Sequence, residues 1–491
     1  MGTHELVLRG GRVVDPETGL DAVRDVAVDG GRVSAVTPDH LEGTASIDAT
    51  GLVVAPGFID MHSHAQTLAG RRLQACDGVT TALDLEAGRT STAHAYAEEA
   101  GVGSPINYGF SASWSAARMR VVGGLAPISG PDGTLRLLGD ERWQGAATPE
   151  QVSLILRALA SDLAAGAIGI GLLMGYAPGV DPEEYLAVAQ LAAEAAVPTF
   201  THCRDLVELS PNTRIDGAEE LVRAAGTTGA HMHHCHINST SVRHIDRVLS
   251  LVEKCRAEGG RVSVEAYPYG SGATAIGAAF LAPDRLAQRG LTPSSLTYLA
   301  TGERLADEAR LLELREVDPG GIVILDFLDE SRPADKEMLR RSLTFDGSIV
   351  ASDAMPLVNT ASAELDPEQW PPPPGVITHP RTAGCFSRAM RLWREEGKPL
   401  LAALTRCTLD PARVLEASTP SMRAKGRVQE GADADLVVFD YEEITDQATY
   451  DDSVRRSRGI RHVVVHGTFV VSDGSLVLDA RPGRPIRAEP A

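Results

Sequence analysis

No lysine occurs before Lys254, and Lys254, Lys336, Lys398 and Lys425 are the only lysines in 491 positions. Chemistry that needs a lysine amine is therefore excluded from the first half of the chain. Long apolar runs are also missing. Nothing approaches the roughly 20 apolar residues of a membrane-spanning helix. With 43% hydrophobic and 23% charged residues, the chain is no disordered polymer either. Positive charge is scarce: 46 basic against 66 acidic residues give a net charge of −20. That field repels nucleic acid and anionic lipid, so neither a nucleic acid nor a membrane is expected as a partner. Six cysteines (Cys76, Cys203, Cys235, Cys255, Cys385 and Cys407) lack paired spacing, which reads as reduced thiols in a cytosolic protein. The N-terminal residues lack a basic stretch followed by an apolar one, so no secretory signal is expected and the location is read as cytoplasmic.

What is present is an alternation of short apolar strands and amphipathic helices, in a length that suits one large α/β domain with a satellite. Residues 5–54 and the last part of the chain share a texture of short strands broken by Gly and Asp turns. Neither end has enough strands for a sheet of its own. The expectation is a small β-sandwich domain built from both termini, residues 1–54 plus 411–491, around a central domain of residues 55–410. There, strands are expected near Leu52–Met61, Val79–Glu86, Ile106–Ala112, Ala167–Leu173, Thr199–Cys203, Ala230–His236, Arg261–Tyr267 and Ser348–Asp353. Helical patterns lie between most of them, at Pro149–Ala164, Pro182–Ala196, Asp216–Ala225 and Ser241–Ala257. Eight such units make an α/β fold of the (β/α)₈ TIM-barrel type. An open doubly wound sheet is the alternative, but no G-x-G-x-x-G follows the first strand. Residues 113–148 and 281–345 exceed ordinary loop lengths, and the second, charged and partly helical, is expected as an insertion at the barrel mouth.

Chemistry concentrates at the expected strand ends. His62 and His64 stand at i, i+2 on the first strand, so their imidazoles share a face and can converge on a metal. His202 ends the apolar run Val197-Pro-Thr-Phe-Thr at the tip of strand five. In Ala230-His-Met-His-His-Cys-His-Ile, the residues Met232, His234 and His236 share one face, and His231 and His233 the other. Only one of those faces can look into a barrel. Glu86 places two carboxylate oxygens at the tip of strand two, able to bridge two cations, with Asp84 as the fallback. Asp353 closes strand eight.

Val54-Ala-Pro-Gly-Phe-Ile-Asp-Met-His-Ser-His resembles the strand-one signature of the amidohydrolase superfamily of metal-dependent hydrolases, and Gly426-Arg-Val-Gln-Glu-Gly-Ala-Asp-Ala-Asp-Leu-Val-Val-Phe-Asp resembles its return into the β-sandwich. Within that superfamily the chain is similar to the N-acyl-D-amino-acid deacylases along nearly its whole length. Gly78-Val-Thr-Thr, Thr201-His-Cys-Arg-Asp, Tyr267-Pro-Tyr269 and His379-Pro-Arg381 carry the narrower likeness. The resemblance implies His62, His64, His202, His234 and Asp353 as metal-site residues, and Glu86, read from its own place at the strand-two tip, completes the expected site. Many superfamily members bridge their metals with a carbamylated lysine on strand four, which the absence of lysine rules out here. The deacylases carry a cysteine after strand two, where this chain has Asp84-Leu-Glu86-Ala87-Gly88 instead. Exchanging a thiolate for a carboxylate favours a binuclear or manganese-type site.

By the same resemblance, Asp353 is the catalytic proton shuttle for metal-activated water. Arg381 clasps the substrate carboxylate, and Tyr267, Tyr269 and Ser271 add hydrogen bonds to it. His236 stands where the family usually has lysine, as a substrate contact. The expected function is hydrolysis of the amide of a carboxylate-bearing N-acyl compound, with N-acyl-D-amino acids, and N-acyl-D-glutamate among them, as the first guess. Cyclic amides of the hydantoin or dihydropyrimidine type, a natural-product amide, or a non-catalytic binding protein are the alternatives. The expected cofactor is Zn²⁺, one or two ions, with Mn²⁺ or another divalent cation in reserve. The expected partner is a small-molecule substrate, and homo-oligomerisation is left open.

Overall fold

The computed structural model describes residues 3–128, 130, 133–360, 365, 366 and 368–489. Eight strands pair in parallel and in sequence order: β1 (Phe58–Asp60), β2 (Val79–Arg89), β3 (Asn107–Ser113), β4 (Ile170–Leu173), β5 (Pro198–His202), β6 (His231–His234), β7 (Val262–Ala266) and β8 (Ser348–Val350). Nearly all their residues are buried, as strands covered on both faces must be. The sheet closes where Ser63, just past β1, bridges Ala354, just past β8, and the His64 N–H donates to the Ala354 carbonyl at 2.7 Å. Asp60 ties the same seam, accepting the Ser352 N–H at 2.9 Å on one oxygen and the Ser352 hydroxyl on the other. A closed parallel sheet has no edge to protect, and this is a (β/α)₈ barrel.

Its helices are α1 (Leu68–Cys76), α2 (Thr92–Val102), α3 (Pro149–Ala164), α4 (Pro182–Glu194), α5 (Gly217–Thr228), α6 (Ile245–Ala257), α7 (Pro333–Thr344) and α8 (Arg381–Glu395). Local sequence explains their starts. At α3, Thr148 and Gln151 form a reciprocal capping box, Pro149 pre-sets the first turn, and Ile155, Leu159 and Leu163 recur on the buried face. Asp181 and Asp216 cap α4 and α5 by accepting backbone N–H groups.

The apolar run expected as one strand over Leu52–Met61 is two elements. Val53–Pro56 pairs antiparallel with Leu436–Phe439, whereas β1 enters the barrel. Gly57 sits between them, where a Cβ would lie 2.1 Å from the Thr80 side chain. Only glycine lets the chain turn there so close to β2. Strands from both ends of the chain hydrogen-bond into one nine-stranded sheet, running from Ser475–Leu476 through Leu436–Phe439 and Val53–Pro56 to Arg32–Thr37. It has its own core, including Val13, Val26, Val54, Leu436, Val438 and Val464. Buried Lys425 joins it to the barrel, with its ammonium 3.0 Å from Asp433 and 2.5 Å from Asp435, while Asn107 of β3 donates to Asp435 at 2.8 Å.

Two segments differ from the sequence reading. Residues 484–488 leave the terminal sheet: Pro485 bridges Tyr108 of β3, the Ile486 N–H donates to the Tyr108 carbonyl at 2.7 Å, and Ile486 packs with Ile59, Leu83, Phe200 and Ile349 inside the barrel. The segment between β7 and α7 is built on a small antiparallel sheet of Ser271–Ala275, Leu296–Tyr298, Glu303–Arg304 and Ile322–Asp326. Short helices flank it, and their charged residues obscure its strands in the sequence. Among the described residues no helix is long and apolar enough to cross a membrane. All six cysteines are buried and free.

Candidate metal centre

The parallel strands point their C-terminal ends to one face of the barrel, and the titratable residues of β1, β2, β5, β6 and β8 meet there. Glu86 is the hub. Its Oε2 lies 3.2 Å from His62 Nε2 and 3.5 Å from His64 Nε2, and its Oε1 lies 3.2 Å from His202 Nδ1 and 2.7 Å from His236 Nε2. Asp353 Oδ1 completes the first group, 3.4 Å from His62 Nε2 and 3.6 Å from His64 Nε2. The Glu86 backbone fits because β4 has glycine opposite it: a Cβ on Gly171 would stand 2.2 Å from the Glu86 carbonyl oxygen.

Hydrogen-bond accounting shows what the cluster asks for. His62 Nδ1 faces Glu265 Oε1 at 2.5 Å and His64 Nδ1 faces Asp84 Oδ1 at 3.2 Å, so in both rings the carboxylate takes the Nδ1 proton. When both rings are neutral, as metal ligands must be, the two Nε2 atoms are bare lone pairs that confront each other at 3.1 Å. A cation between them relieves that repulsion. His202 Nδ1 is likewise buried without a hydrogen-bond partner. Without a cation between His62 and His64, a proton takes that place. Burial opposes charge on His64, but its hydrogen bonds to Asp84 and Glu86 outweigh this and push it up to about 9. Against the same burial, the imidazoles of His62 and His236 hold the Glu86 carboxyl well below its usual range. Four imidazoles and two carboxylates whose ligand atoms cluster within 4.8 Å in overlapping threes suit a borderline divalent cation such as zinc.

The strand-six histidines are arranged differently from the sequence reading. His234 is not among the clustered ligand atoms: its Nε2 lies 2.9 Å from the Thr240 hydroxyl, and its Nδ1 is buried without a hydrogen-bond partner. Burial and nearby imidazoles depress it to about 3. His236, expected as a substrate contact, instead reaches Glu86. Strand alternation ends at His234, and His236 has a left-handed backbone with φ of 30°, which swings its ring to the mouth. Periodicity could not show this, because it holds only while the chain remains a strand. Asp84, the fallback bridge, holds His64 from behind. Glu265 was missed altogether, although an acid inside the apolar run Val262-Ser-Val-Glu-Ala was the available signal. Another acid–imidazole group, Asp433, Asp435 and His466, already has its cation in the Lys425 ammonium.

The cluster forms the floor of a pocket whose walls include Leu138, Leu173, Phe280, Leu325, Phe327 and Met355. Arg381 is fully buried beside it. Its Nε donates to the Asp353 carbonyl at 2.6 Å, Nη2 lies 2.8 Å from Asp353 Oδ2, and Nη1 has no hydrogen-bond partner. The guanidinium stacks over the Tyr267 ring at 4.5 Å. Gly272 leaves the space next to both open, since a Cβ there would lie 2.9 Å from the Tyr267 hydroxyl and 3.4 Å from Arg381 Nη1. Tyr269 and Ser271 are not brought to the pocket. Tyr269 packs under Arg388, and the Ser271 hydroxyl pairs with His379 at 3.0 Å and with Tyr450.

Comparison with known proteins follows this geometry. The chain is 27% identical to an N-acyl-D-glutamate deacylase of Alcaligenes xylosoxydans xylosoxydans, over 99% of this chain and 97% of that one. It is 28% identical to a D-aminoacylase of the same organism, over 95% and 94% of the two chains. Among solved structures, a D-aminoacylase studied for its binuclear metal centre superposes with a TM-score of 0.76 at 22% identity, covering 99% of this chain and 100% of that one. An N-acyl-D-glutamate deacylase of Bordetella bronchiseptica, solved with zinc and a phosphonate mimic of the tetrahedral intermediate, gives 0.74 at 23% with the same coverage. Residues 45–471, which carry the barrel and part of the terminal sheet, match the amidohydrolase family, and the chain belongs to that family of hydrolases acting on carbon–nitrogen bonds other than peptide bonds.

Proposed function

We propose that this hydrolase cleaves the amide of an N-acyl amino acid, N-acyl-D-amino acids first and N-acyl-D-glutamate among them, using two divalent cations held on either side of Glu86. The observation that carries this reading is the division of the Glu86 oxygens between two imidazole pairs, with the bare Nε2 atoms of His62 and His64 facing each other at 3.1 Å. His62, His64, Glu86 and Asp353 would hold one cation, and Glu86, His202 and His236 the other, with zinc the favoured metal. A bound divalent cation supplies Lewis acidity, which makes water a nucleophile at neutral pH and polarises the amide carbonyl.

This chain's own residues supply the rest. Asp353 lies at the cluster with one oxygen toward the imidazoles and the other toward Arg381, placed to take a proton from the attacking water and return it to the leaving nitrogen. Arg381 Nη1 and the Tyr267 hydroxyl flank the space over Gly272, where a substrate carboxylate would receive both donors. The apolar walls exclude bulk water and strengthen these contacts.

Activity of metal-loaded enzyme against N-acetyl and N-formyl D- and L-amino acids, with hydantoin and dihydropyrimidine in the same panel, tests the reading. Arg381→Ala should raise KM for carboxylate-bearing substrates alone. Turnover of cyclic amides only, indifferent to Arg381, would replace this reading with the cyclic-amidase one.

A further inference from the structure

We propose that Glu265 and His233 are positioning residues for the metal centre, at the upper end of a hydrogen-bonded column that descends through the barrel to its floor. From His62 Nδ1 the column passes to Glu265 Oε1 at 2.5 Å, and Glu265 Oε2 faces His233 Nε2 at 3.0 Å. His233 Nδ1 faces Ser263 Oγ at 2.7 Å, and Ser263 Oγ faces His231 Nε2 at 2.9 Å. His231 and His233 alternate along β6, Ser263 and Glu265 along β7, and the strands pair His233 with Ser263. The His233 ring lies tilted against that of Phe200, centroids 5.7 Å apart, in the barrel interior, and His231, at the start of β6, is half-buried at the opposite end from the cluster.

Donors and acceptors have one consistent assignment. An ionised Glu265 accepts from His62 Nδ1–H, from His233 Nε2–H and, at 3.3 Å, from the His236 backbone N–H. His233 Nδ1 is then a lone pair that accepts the Ser263 hydroxyl proton, and the Ser263 oxygen accepts His231 Nε2–H. Every donor in the column points toward Glu265. This fixes His62 in the tautomer whose Nε2 lone pair faces Glu86, and it pins the left-handed backbone that carries the His236 ring to the same carboxylate. A neutral amide at position 265 cannot accept three donors, and its own NH₂ would confront one of them. The cluster's orientation therefore depends on Glu265, which holds its imidazoles from behind, and on the residues beyond Glu265 in the column.

The proposal rests on His62 being a metal ligand, and the experiment separates the two claims. Zinc affinity of metal-stripped protein is measured by competition with a chromophoric chelator for wild type, His62→Ala, Glu265→Gln, His233→Asn and Ser263→Ala, with the melting temperature of each metal-free protein alongside. His62→Ala should lose one zinc; wild-type binding there would defeat the ligand reading itself. Glu265→Gln should weaken zinc roughly 10- to 100-fold and His233→Asn by on the order of 10-fold, with Ser263→Ala smaller but in the same direction. Metal-free melting temperatures should stay near wild type in His233→Asn and Ser263→Ala. Loss of zinc in His62→Ala with unchanged affinity in His233→Asn and Ser263→Ala would overturn the column, even if Glu265→Gln fails to fold. Affinity that falls only in step with metal-free melting temperature would also overturn it, because the role would then be general stability.

Discussion

His236 Nε2 lies 2.7 Å from Glu86 Oε1, although 150 positions separate the two residues in the chain. The contact exists because β6 ends at His234 and the next turn is left-handed at His236. It gives the first prediction. His236→Ala should lower the bound-metal stoichiometry, because it strips an imidazole from one side of Glu86, whereas His234→Ala should retain it. Elemental analysis of protein purified without chelator reads the difference. Metal retained in His236→Ala and lost in His234→Ala would reverse the assignment of the strand-six ligand.

A second prediction concerns Asp353, whose φ of 49° lies in the left-handed region that Asn and Asp tolerate better than other side chains. Asp353→Asn therefore keeps the backbone and the Arg381 contact to its carbonyl, but it removes the proton acceptor. The expected outcome is metal still held by His62, His64 and Glu86, a melting temperature lowered by loss of the buried Arg381 ion pair, and kcat lower by on the order of 10³. A variant with near wild-type kcat would remove Asp353 from the chemistry.

A third prediction is structural. Ile486 is buried among Ile59, Leu83, Phe200 and Ile349 at the barrel interior, so the C-terminal tail closes the barrel from beneath. Ile486→Ala should destabilise the protein by about 2–5 kcal/mol, seen as a lower denaturant midpoint at fixed metal concentration. An unchanged midpoint would show that residues 484–488 do not hold that position in solution.

Much of this architecture was legible in the sequence, and the failures have physical causes. The eight barrel strands could be placed because buried parallel strands are short apolar runs bounded by turns, and α3 because Thr148-Pro-Glu-Gln is a capping box ahead of an apolar stripe. Leu52–Met61 read as one strand because nothing in its hydrophobicity marks Gly57, whose role depends on Thr80 from another strand. The sheet at Ser271–Asp326 was hidden for a similar reason: its strands are short, and they are stabilised by each other rather than by local preference. At the site, His62, His64, Glu86, His202 and Asp353 could be named from strand ends alone, and they converge. Tyr269 and Ser271 could not be separated from Tyr267 by spacing, since the chain turns between them and sends their side chains to His379, Arg388 and Tyr450. Glu265 stood out as an acid in an apolar strand, but its role could not be read from that, because it lies in the partners His62 and His233 on other strands.

In the proposed centre Glu86 would hold a cation at each of its oxygens, and the positions of bound zinc decide whether it does. Crystals of zinc-loaded protein, measured on either side of the zinc absorption edge, should show two anomalous peaks flanking the Glu86 carboxylate. One should be in contact with His62 and His64 and the other with His202 and His236. A single peak away from Glu86, or zinc bound only at Asp433, Asp435 and His466, would contradict the account.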